Sequence, residues 1–231
     1  SSSDIKSIEL KHVFRQKNED FIKILNKIRI GKHTTGDLGI INNRIIQKKS
    51  FNDDNRLILT PFKRRASEIN DAGLSSLPKP EYKFNAIVRG RINQNNIPAD
   101  QIFSLKKGSK VMFVKNGTSY VNGSLGIVKD IKNNKVTVKK NGRSIVVGYE
   151  EWEDYQYKYN NKTGELEKKV VGSFKQIPLI LAWAITIHKC QGATLEGVHI
   201  DLDRGCFAYG QTYVALSRTK SILDMTLEKP I

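Results

Sequence analysis

Leu181-Ala-Trp-Ala-Ile-Thr-Ile-His-Lys-Cys-Gln-Gly192 reads as an apolar strand that runs straight into polar side chains. The apolar run Leu179–Trp183 suits a strand buried on both faces, and Thr186, His188, Lys189, Gln191 and Gly192 gather at its carboxyl end. Open α/β sheets bind their ligands at the carboxyl ends of strands. An ordinary core strand would explain the apolar residues but not the concentration of polar types behind them. Gly197–Leu202, with Val198, Ile200 and Leu202 alternating, is a second strand of this layer, and Ile222–Leu227 a last one. Helical signals lie around His188–Gly192 and Gly210–Thr219; in the latter Tyr213, Val214 and Leu216 give a buried side and Arg218 sits at the end.

The N-terminal part has the same character. Phe21, Ile24, Leu25 and Ile28 recur at helical spacing over residues 18–31, and Gly31 closes that helix. A second helix is expected over about 34–47. Arg56–Thr60 is a short β-like run that leads through Pro61 into a basic helix with Phe62, Ala66, Ile69 and Leu77 roughly on one side. Strand followed by helix opens an α/β layer.

Between these parts the pattern changes. Val111–Val114, Leu125–Val128, Lys135–Val138 and Ser144–Val147 are short β-branched runs separated by Asn116-Gly117, Asn122-Gly123, Asn133-Asn134 and Asn141-Gly142. Asn-Gly supplies the positive φ of tight hairpin turns, so the spacing predicts an antiparallel meander closing as a small barrel inserted into the α/β layer. The Tyr-rich stretch 150–169 reads as its outer hairpin.

The chain has 231 residues and a formal net charge of +16, with a pI near 9.8. From residue 181 onward five basic residues face five acidic ones, so the whole excess lies in the first 180. The stretch 101–149 is densest, with ten Lys/Arg against the single acid Asp130. A charge of this size points to a polyanionic partner, nucleic acid ahead of a membrane surface; its plain alternative is a solvated basic exterior. No apolar stretch is long enough to span a bilayer, and Ser1-Ser2-Ser3-Asp4 shows no secretory signal. The abrupt start reads as that of a piece of a longer protein. Two cysteines, Cys190 and Cys206, make no disulfide framework, and a cytoplasmic protein of bacterial or phage type is the expectation.

Chemistry-bearing patterns are few. Gly31-Lys32-His33-Thr34 approaches a phosphate-binding P-loop, but Asn26 stands where its first glycine belongs and His33 where the magnesium-binding hydroxyl belongs. His188, Cys190, His199 and Cys206 lack the paired spacing of structural zinc sites, so no metal site is expected.

Ala184-Ile-Thr-Ile-His-Lys-Cys-Gln-Gly192 resembles motif V of superfamily-one DNA helicases, and Tyr213-Val-Ala-Leu-Ser-Arg218 resembles their motif VI. Val13-Phe-Arg-Gln16 with the helix after it is similar to motif IV. Leu59-Thr-Pro-Phe-Lys-Arg-Arg-Ala-Ser-Glu-Ile-Asn70, Leu105–Asn116 and Val121-Asn-Gly-Ser-Leu-Gly126 narrow the resemblance to the petite-integration-frequency (Pif) and RecD-like branch. Five ordered motifs cover nearly the whole chain. It departs from the family at Lys63, where an asparagine is usual, and at Cys190, where a serine is usual.

The resemblance implies an α/β fold: a second RecA-like helicase domain, its mostly parallel sheet flanked by helices, interrupted by a small SH3-like antiparallel β-barrel. The parts would be residues 1–108, 109–172 (the barrel) and 173–231. It implies the C-terminal half of an ATP-dependent 5′-to-3′ helicase, inactive alone. ATP with Mg2+ would be held mainly by a first RecA-like domain outside this chain, which would be its partner along with single-stranded DNA and duplex junctions. Arg15 and Arg218 match the arginines that reach across the cleft, Gln191 and Gly192 lie by the nucleotide, and Thr60, Lys63, Thr186, His188 and Lys189 match positions on the single strand. For His188 a satisfied core histidine is the alternative. A nucleic-acid-binding module without a motor, or a protein-binding scaffold, would have no need of Arg15 and Arg218.

Overall fold

The apolar run from Leu179 is shared between two sheets in a computed structural model that describes residues 13–46, 56–93, 97–160, 164–206 and 208–231. Four strands, β1 (Leu57–Thr60), β12 (Ala184–Thr186), β13 (Val198–Ile200) and β14 (Met225–Leu227), form an all-parallel sheet in the order β12-β1-β13-β14. Leu57–Thr60 is buried at every position, as expected of a strand covered on both faces. Helices α1 (Glu19–Arg29), α2 (Thr35–Asn42), α3 (Lys63–Ser75) and α4 (Gln211–Leu216) accompany this sheet. Phe21, Ile24 and Leu25 of α1 join Leu59, Ile185, Val198 and Leu216 in its main core.

The single strand expected over Leu179–Trp183 is instead two. β11 (Leu179–Leu181) pairs antiparallel with β5 (Lys110–Phe113), whereas Ala184–Thr186 pairs in parallel with β1. Trp183 marks the break. Its backbone N–H and that of Ala184 donate to the side-chain oxygen of Asn70 on α3, at 3.1 and 2.9 Å. The indole lies against Gly73 so closely that a Cβ there would sit 2.5 Å from the ring.

The middle of the chain is antiparallel, as its turns predicted. β6 (Leu125–Lys132), β7 (Lys135–Lys140) and β8 (Arg143–Val147) extend β11-β5 into a five-stranded sheet, β11-β5-β6-β7-β8. Asn133 and Asn134, and Asn141 and Gly142, all have positive φ, the geometry of two-residue hairpin turns. Asn116-Gly117 makes no such turn. It lies in the loop between β5 and β6, where Gly117 is pressed against the Tyr120 ring and the Asn116 side chain accepts from the Asn122 N–H. Two pairings were not foreseen: β2 (Tyr82–Asn85) with β4 (Ile102–Leu105), and β3 (Ile87–Gly90) with β10 (Glu165–Gln176), which also pairs with β9 (Glu150–Asn160). Phe84, Phe103 and Leu105 pack with Val111, Val136 and Val138 in a second core.

Three further expectations are corrected. His188–Gly192 is a series of turns rather than a helix, with Gly192 at φ +85. The second helix ends at Asn42, and residue 47 lies outside the described residues. Ile222–Asp224 is a 3-10 turn, so only Met225–Leu227 is strand. Gly31, by contrast, is a helix terminator: its φ is +69, its N–H reaches the Ile28 carbonyl, and the Lys32 N–H reaches Lys27. This paired bonding closes the end of α1. No described helix is long and apolar enough to cross a membrane.

Candidate functional site

Two clusters of the sequence-derived residues meet at the ends of one turn-rich segment, Ile187–Thr194. The first lies at the carboxyl ends of β1 and β12. Thr60 and Thr186 are register partners there, and the Ile187 N–H continues the ladder onto the Thr60 carbonyl at 2.9 Å. Thr60 is fully buried, and its hydroxyl has no hydrogen-bond partner among the described residues; Thr186 is also buried. His188 and Lys189 stand exposed just beyond, so the core-histidine alternative for His188 does not hold. Lys63, the first residue of α3, is exposed on the adjoining strand end. Although the Lys189 side chain as a whole is exposed, partial desolvation of its ammonium pushes it below the usual lysine range; Asp100 acts in the opposite direction and Lys63 adds to the depression. An ammonium depressed in this way is favoured by an anion beside it.

Asp201, at the end of β13, is also buried. Its carboxylate accepts from Arg65 Nε at 2.9 Å and from the Asp203 N–H at 3.0 Å. His199, within β13, is a buried sheet histidine bound to the Thr226 hydroxyl and the Glu228 carboxylate.

The second cluster brings together residues from opposite ends of the chain. Arg15 donates through Nη1 to the Ser217 carbonyl at 2.7 Å, through Nε to Thr194 Oγ1 at 3.0 Å, and through Nη2 to the Gly192 carbonyl at 3.5 Å. Arg218 donates through Nη2 to the Ser217 hydroxyl at 2.7 Å, through Nε to Val214 at 2.7 Å, and through Nη1 to the Ala193 carbonyl at 3.4 Å. Gln16 ties the same corner down, its amide nitrogen reaching the carbonyls of Ser217 and Thr219. Among the described residues no carboxylate pairs with either guanidinium. Burial, then the charge of Arg15, pushes the Arg218 guanidinium below its ordinary pKa. Arg218 is only 8% exposed, whereas Arg15 is half-buried. Both line an open cleft of about 600 Å3 with Phe14, Thr194, Tyr213 and Lys220. Cations without carboxylate partners, beside an open cleft, suit a phosphate-bearing ligand.

Gln191 and Gly192 are exposed between the two clusters. Cys190 is wholly buried behind them; its Sγ–H donates to the Ile187 carbonyl at 3.0 Å, and burial pushes the thiol up to about 11. Sequence reasoning missed Thr194, Ser217 and Gln16 as members of the arginine cluster. All three sit within two residues of a residue that it did select.

The dense basic block is partly neutralised. Asp130 pairs with Lys107 and Lys132, and Lys115 with Glu150, while Lys129, Lys135, Lys139 and Arg143 remain exposed.

No family model matches the chain. It is 31% identical to the ATP-dependent DNA helicase Pif1 of Bdellovibrio bacteriovorus over 97% of its own length and 50% of that protein. It is likewise 31% identical to human PIF1, over 94% of the chain and 34% of that protein. Among solved structures, unliganded Pif1 from Bacteroides matches with a TM-score of 0.83 at 32% identity, covering 95% of this chain and 51% of that one. The same helicase bound to single-stranded DNA matches at 0.69, over 97% and 52%. The chain therefore spans about half the length, or less, of the relatives that it matches. The similarity to Pif-type helicases read from five motifs holds across nearly all of it, and the expected α/β fold with a parallel sheet is present.

Proposed function

We propose that this chain is the second motor half of an ATP-dependent DNA helicase moving 5′-to-3′. Its partner would be a first RecA-like domain of the intact protein, which carries the P-loop and the magnesium ligands. Residues 1–108 and 173–231 would form the second RecA-like domain, and 109–172 an inserted SH3-like barrel. The observation that carries the reading is the convergence of Arg15 and Arg218 on Ser217 and on the backbone carbonyls of Gly192 and Ala193. Relatives solved with ADP-AlF4, with single-stranded DNA and on forked duplex support ATP and DNA as ligands.

Phosphoryl transfer needs positioning and charge stabilisation rather than covalent help from the protein. ATP with Mg2+, when bound, supplies the bond to be broken. Arg15 and Arg218 would hold the charge that develops on the phosphoryl oxygens, and Gln191 and Gly192 would sit at the nucleotide's edge. Arg218 is parked on the end of its own helix, so it would have to leave the Val214 and Ala193 carbonyls to reach across a cleft. On the other side Lys63, His188 and Lys189 would contact strand phosphates, with Thr60 and Thr186 beneath them. Hydroxyl and ammonium groups hold a backbone without reading bases.

The test is made in the intact protein. Arg218→Ala should lower ATP turnover by roughly 10³–10⁵, the worth of an arginine finger, with nucleotide-free binding of single-stranded DNA near normal. Arg218→Lys should rescue little, since an ammonium lacks the planar fork. His188→Ala should show the reverse profile, weakening DNA binding and DNA-stimulated turnover more than basal turnover. Steady-state ATPase and anisotropy titrations on the same variants, with circular dichroism to confirm folding, decide it. A folded Arg218→Ala that keeps its ATPase but loses DNA would place the arginine on the wrong ligand and favour a non-catalytic nucleic-acid-binding module.

A further inference from the structure

The β9–β10 hairpin takes no part in the reading above. Its root is three-stranded, because β3 pairs with β10 from Ile87 opposite Lys175 to Gly90 opposite Gly172. There the third strand stops. A side chain at 172 would come within 2.1 Å of the Arg91 carbonyl oxygen, so glycine is needed where the backbones part. The register shifts between Val170 and Gly172, and among the described residues the remainder is a ribbon of two strands.

On that ribbon Tyr155 faces Val170, Tyr157 faces Lys168, and Tyr159 faces Leu166. Alternation places these six side chains on one surface. Nothing described covers it: Tyr157 is 62% exposed, Tyr159 63% and Leu166 69%. The other surface is polar, with Gln156 opposite Lys169 and Lys158 opposite Glu167. At the root of the tyrosine surface the Glu153 carboxylate accepts the Tyr155 hydroxyl. Among the described residues beyond Tyr155 the one formal charge on this surface is Lys168, whose Nζ lies 3.4 Å from the Tyr155 ring centroid.

An exposed aromatic row of this kind marks an interaction surface. Two features identify its partner. The charge is cationic beyond Tyr155, on a chain of net +16. The spacing is also suitable, because same-face residues of a strand recur every ~6.8 Å, twice the ~3.4 Å rise of stacked bases. We propose that the tyrosine face of this ribbon is a stacking platform for unpaired bases of a DNA strand. Tyr157 and Tyr159 take successive bases, and Lys168, held over Tyr155, meets the backbone on the root side of Tyr157. Stacking of this type is tolerant of sequence, since every base has a π-face. The proposal rests on the reading of the chain as DNA-binding and adds a contact outside the two clusters of the motor.

The experiment uses the 231-residue chain and a labelled oligothymidylate of about 20 nucleotides with one internal 2-aminopurine, longer than the ~4–16 nucleotides that a single small fold covers. Tyr157→Leu with Tyr159→Leu keeps apolar bulk on the exposed ribbon and removes both rings. It should weaken binding about 30-fold or more, as expected for two lost stacking contacts, and abolish the quenching of 2-aminopurine. Tyr157→Phe with Tyr159→Phe should keep both properties to within about threefold, because the ring and not the hydroxyl stacks. The proposal is overturned if the leucine pair binds and quenches like the parent, or if the phenylalanine pair loses as much as the leucine pair. It is also overturned if duplex competes as well as single strand, or if sedimentation shows the face to be a contact between copies of this chain. Binding that falls with His188→Ala but not with the leucine pair would sink this inference alone; a parent chain that does not bind the oligonucleotide would sink the DNA reading with it.

Discussion

Asn70 is the point at which α3 holds the start of β12, and its replacement measures how the polar cluster is positioned. The side chain makes three hydrogen bonds to one short piece of backbone. Its oxygen accepts from the N–H groups of Trp183 and Ala184, and its nitrogen donates to the Ala184 carbonyl at 2.8 Å. Trp183 and Ala184 are buried, so water reaches the gap only from the partly exposed side of Asn70. A neutral hydrogen bond contributes about 1 kcal/mol net, and a buried group left without a partner costs about 1–3 kcal/mol. Asn70→Ala removes three bonds and recovers at most ~0.7 kcal/mol of helix propensity. The balance is a loss of about 2–3 kcal/mol, with partial hydration of the gap included. Urea unfolding followed by tryptophan fluorescence reads it directly. Asn70→Asp keeps both acceptor bonds but sets a carboxylate against the Ala184 carbonyl, and should fall between the parent and Asn70→Ala. An Asn70→Ala chain within about 0.5 kcal/mol of the parent would refute the reasoning, since these bonds would then be replaceable by water. So would an Asn70→Asp as unstable as Asn70→Ala, because the acceptor bonds would then contribute nothing.

Two smaller perturbations follow from neighbouring geometry. Gly73→Ala ought to stabilise a helix by about 1 kcal/mol, yet its methyl would sit 2.5 Å from the Trp183 ring. Overpacking costs about 1–3 kcal/mol, so the net effect in urea unfolding should be destabilising, and a more stable Gly73→Ala would show that the α3–Trp183 contact is loose. At the start of α2, the Thr34 N–H, the Lys27 ammonium and the Thr34 hydroxyl, in that order, lower the Asp37 carboxyl from 3.8 to about 2. A depressed folded-state pKa means that this support is complete above about pH 4 and is lost as pH falls towards 2. The melting midpoint of the parent should therefore drop across that window more than that of Asp37→Asn, and parallel curves would contradict the assignment.

What could be read in the sequence divides along physical lines. Local signals held where chemistry forces geometry. Two positive-φ pairs, Asn133-Asn134 and Asn141-Gly142, turn the hairpins of the five-stranded sheet, and the amphipathic stretch before Gly31 is a helix closed by that glycine. The apolar run from Leu179 to Thr186 misled because a strand buried on both faces has no period, so nothing in it marks the change of sheet at Trp183. His188–Gly192 is a turn although Ile187 and Cys190 are both buried at a separation of three, a spacing that a tight turn provides as well as a helix. β2 and β3 escaped notice because they are short and mostly exposed, with only Phe84 buried between them. The meeting of Arg15 with Ser217 spans the whole chain, and no local pattern encodes it. Only the resemblance to helicase motifs linked the two ends.

The segment between the clusters shows how one short stretch can serve both. Successive backbone bonds brace it: Cys190 N–H to the Thr186 carbonyl, Gln191 to His188, and Ala193 to Cys190. Cys190 is packed at its centre as a neutral thiol, so the turn pivots on a buried side chain rather than on a charge. The frame is fastened firmly by the Ile187 N–H on Thr60 at 2.9 Å and by Arg15 Nε on Thr194 at 3.0 Å, and more loosely by three other bonds. Arg15 Nη2 to Gly192 is 3.5 Å, Arg218 Nη1 to Ala193 is 3.4 Å, and the Lys189 N–H to Thr186 Oγ1 is 3.4 Å. Those that hold the arginines to the helix end at Ser217 and Val214 are 2.7 Å. Hydrogen bonds weaken beyond about 3.2 Å, so these three contacts are among the easiest to exchange. A ligand that draws either arginine away gives up the weaker of its bonds first, and it can bias the turn only by as much as its affinity differs between the two arrangements.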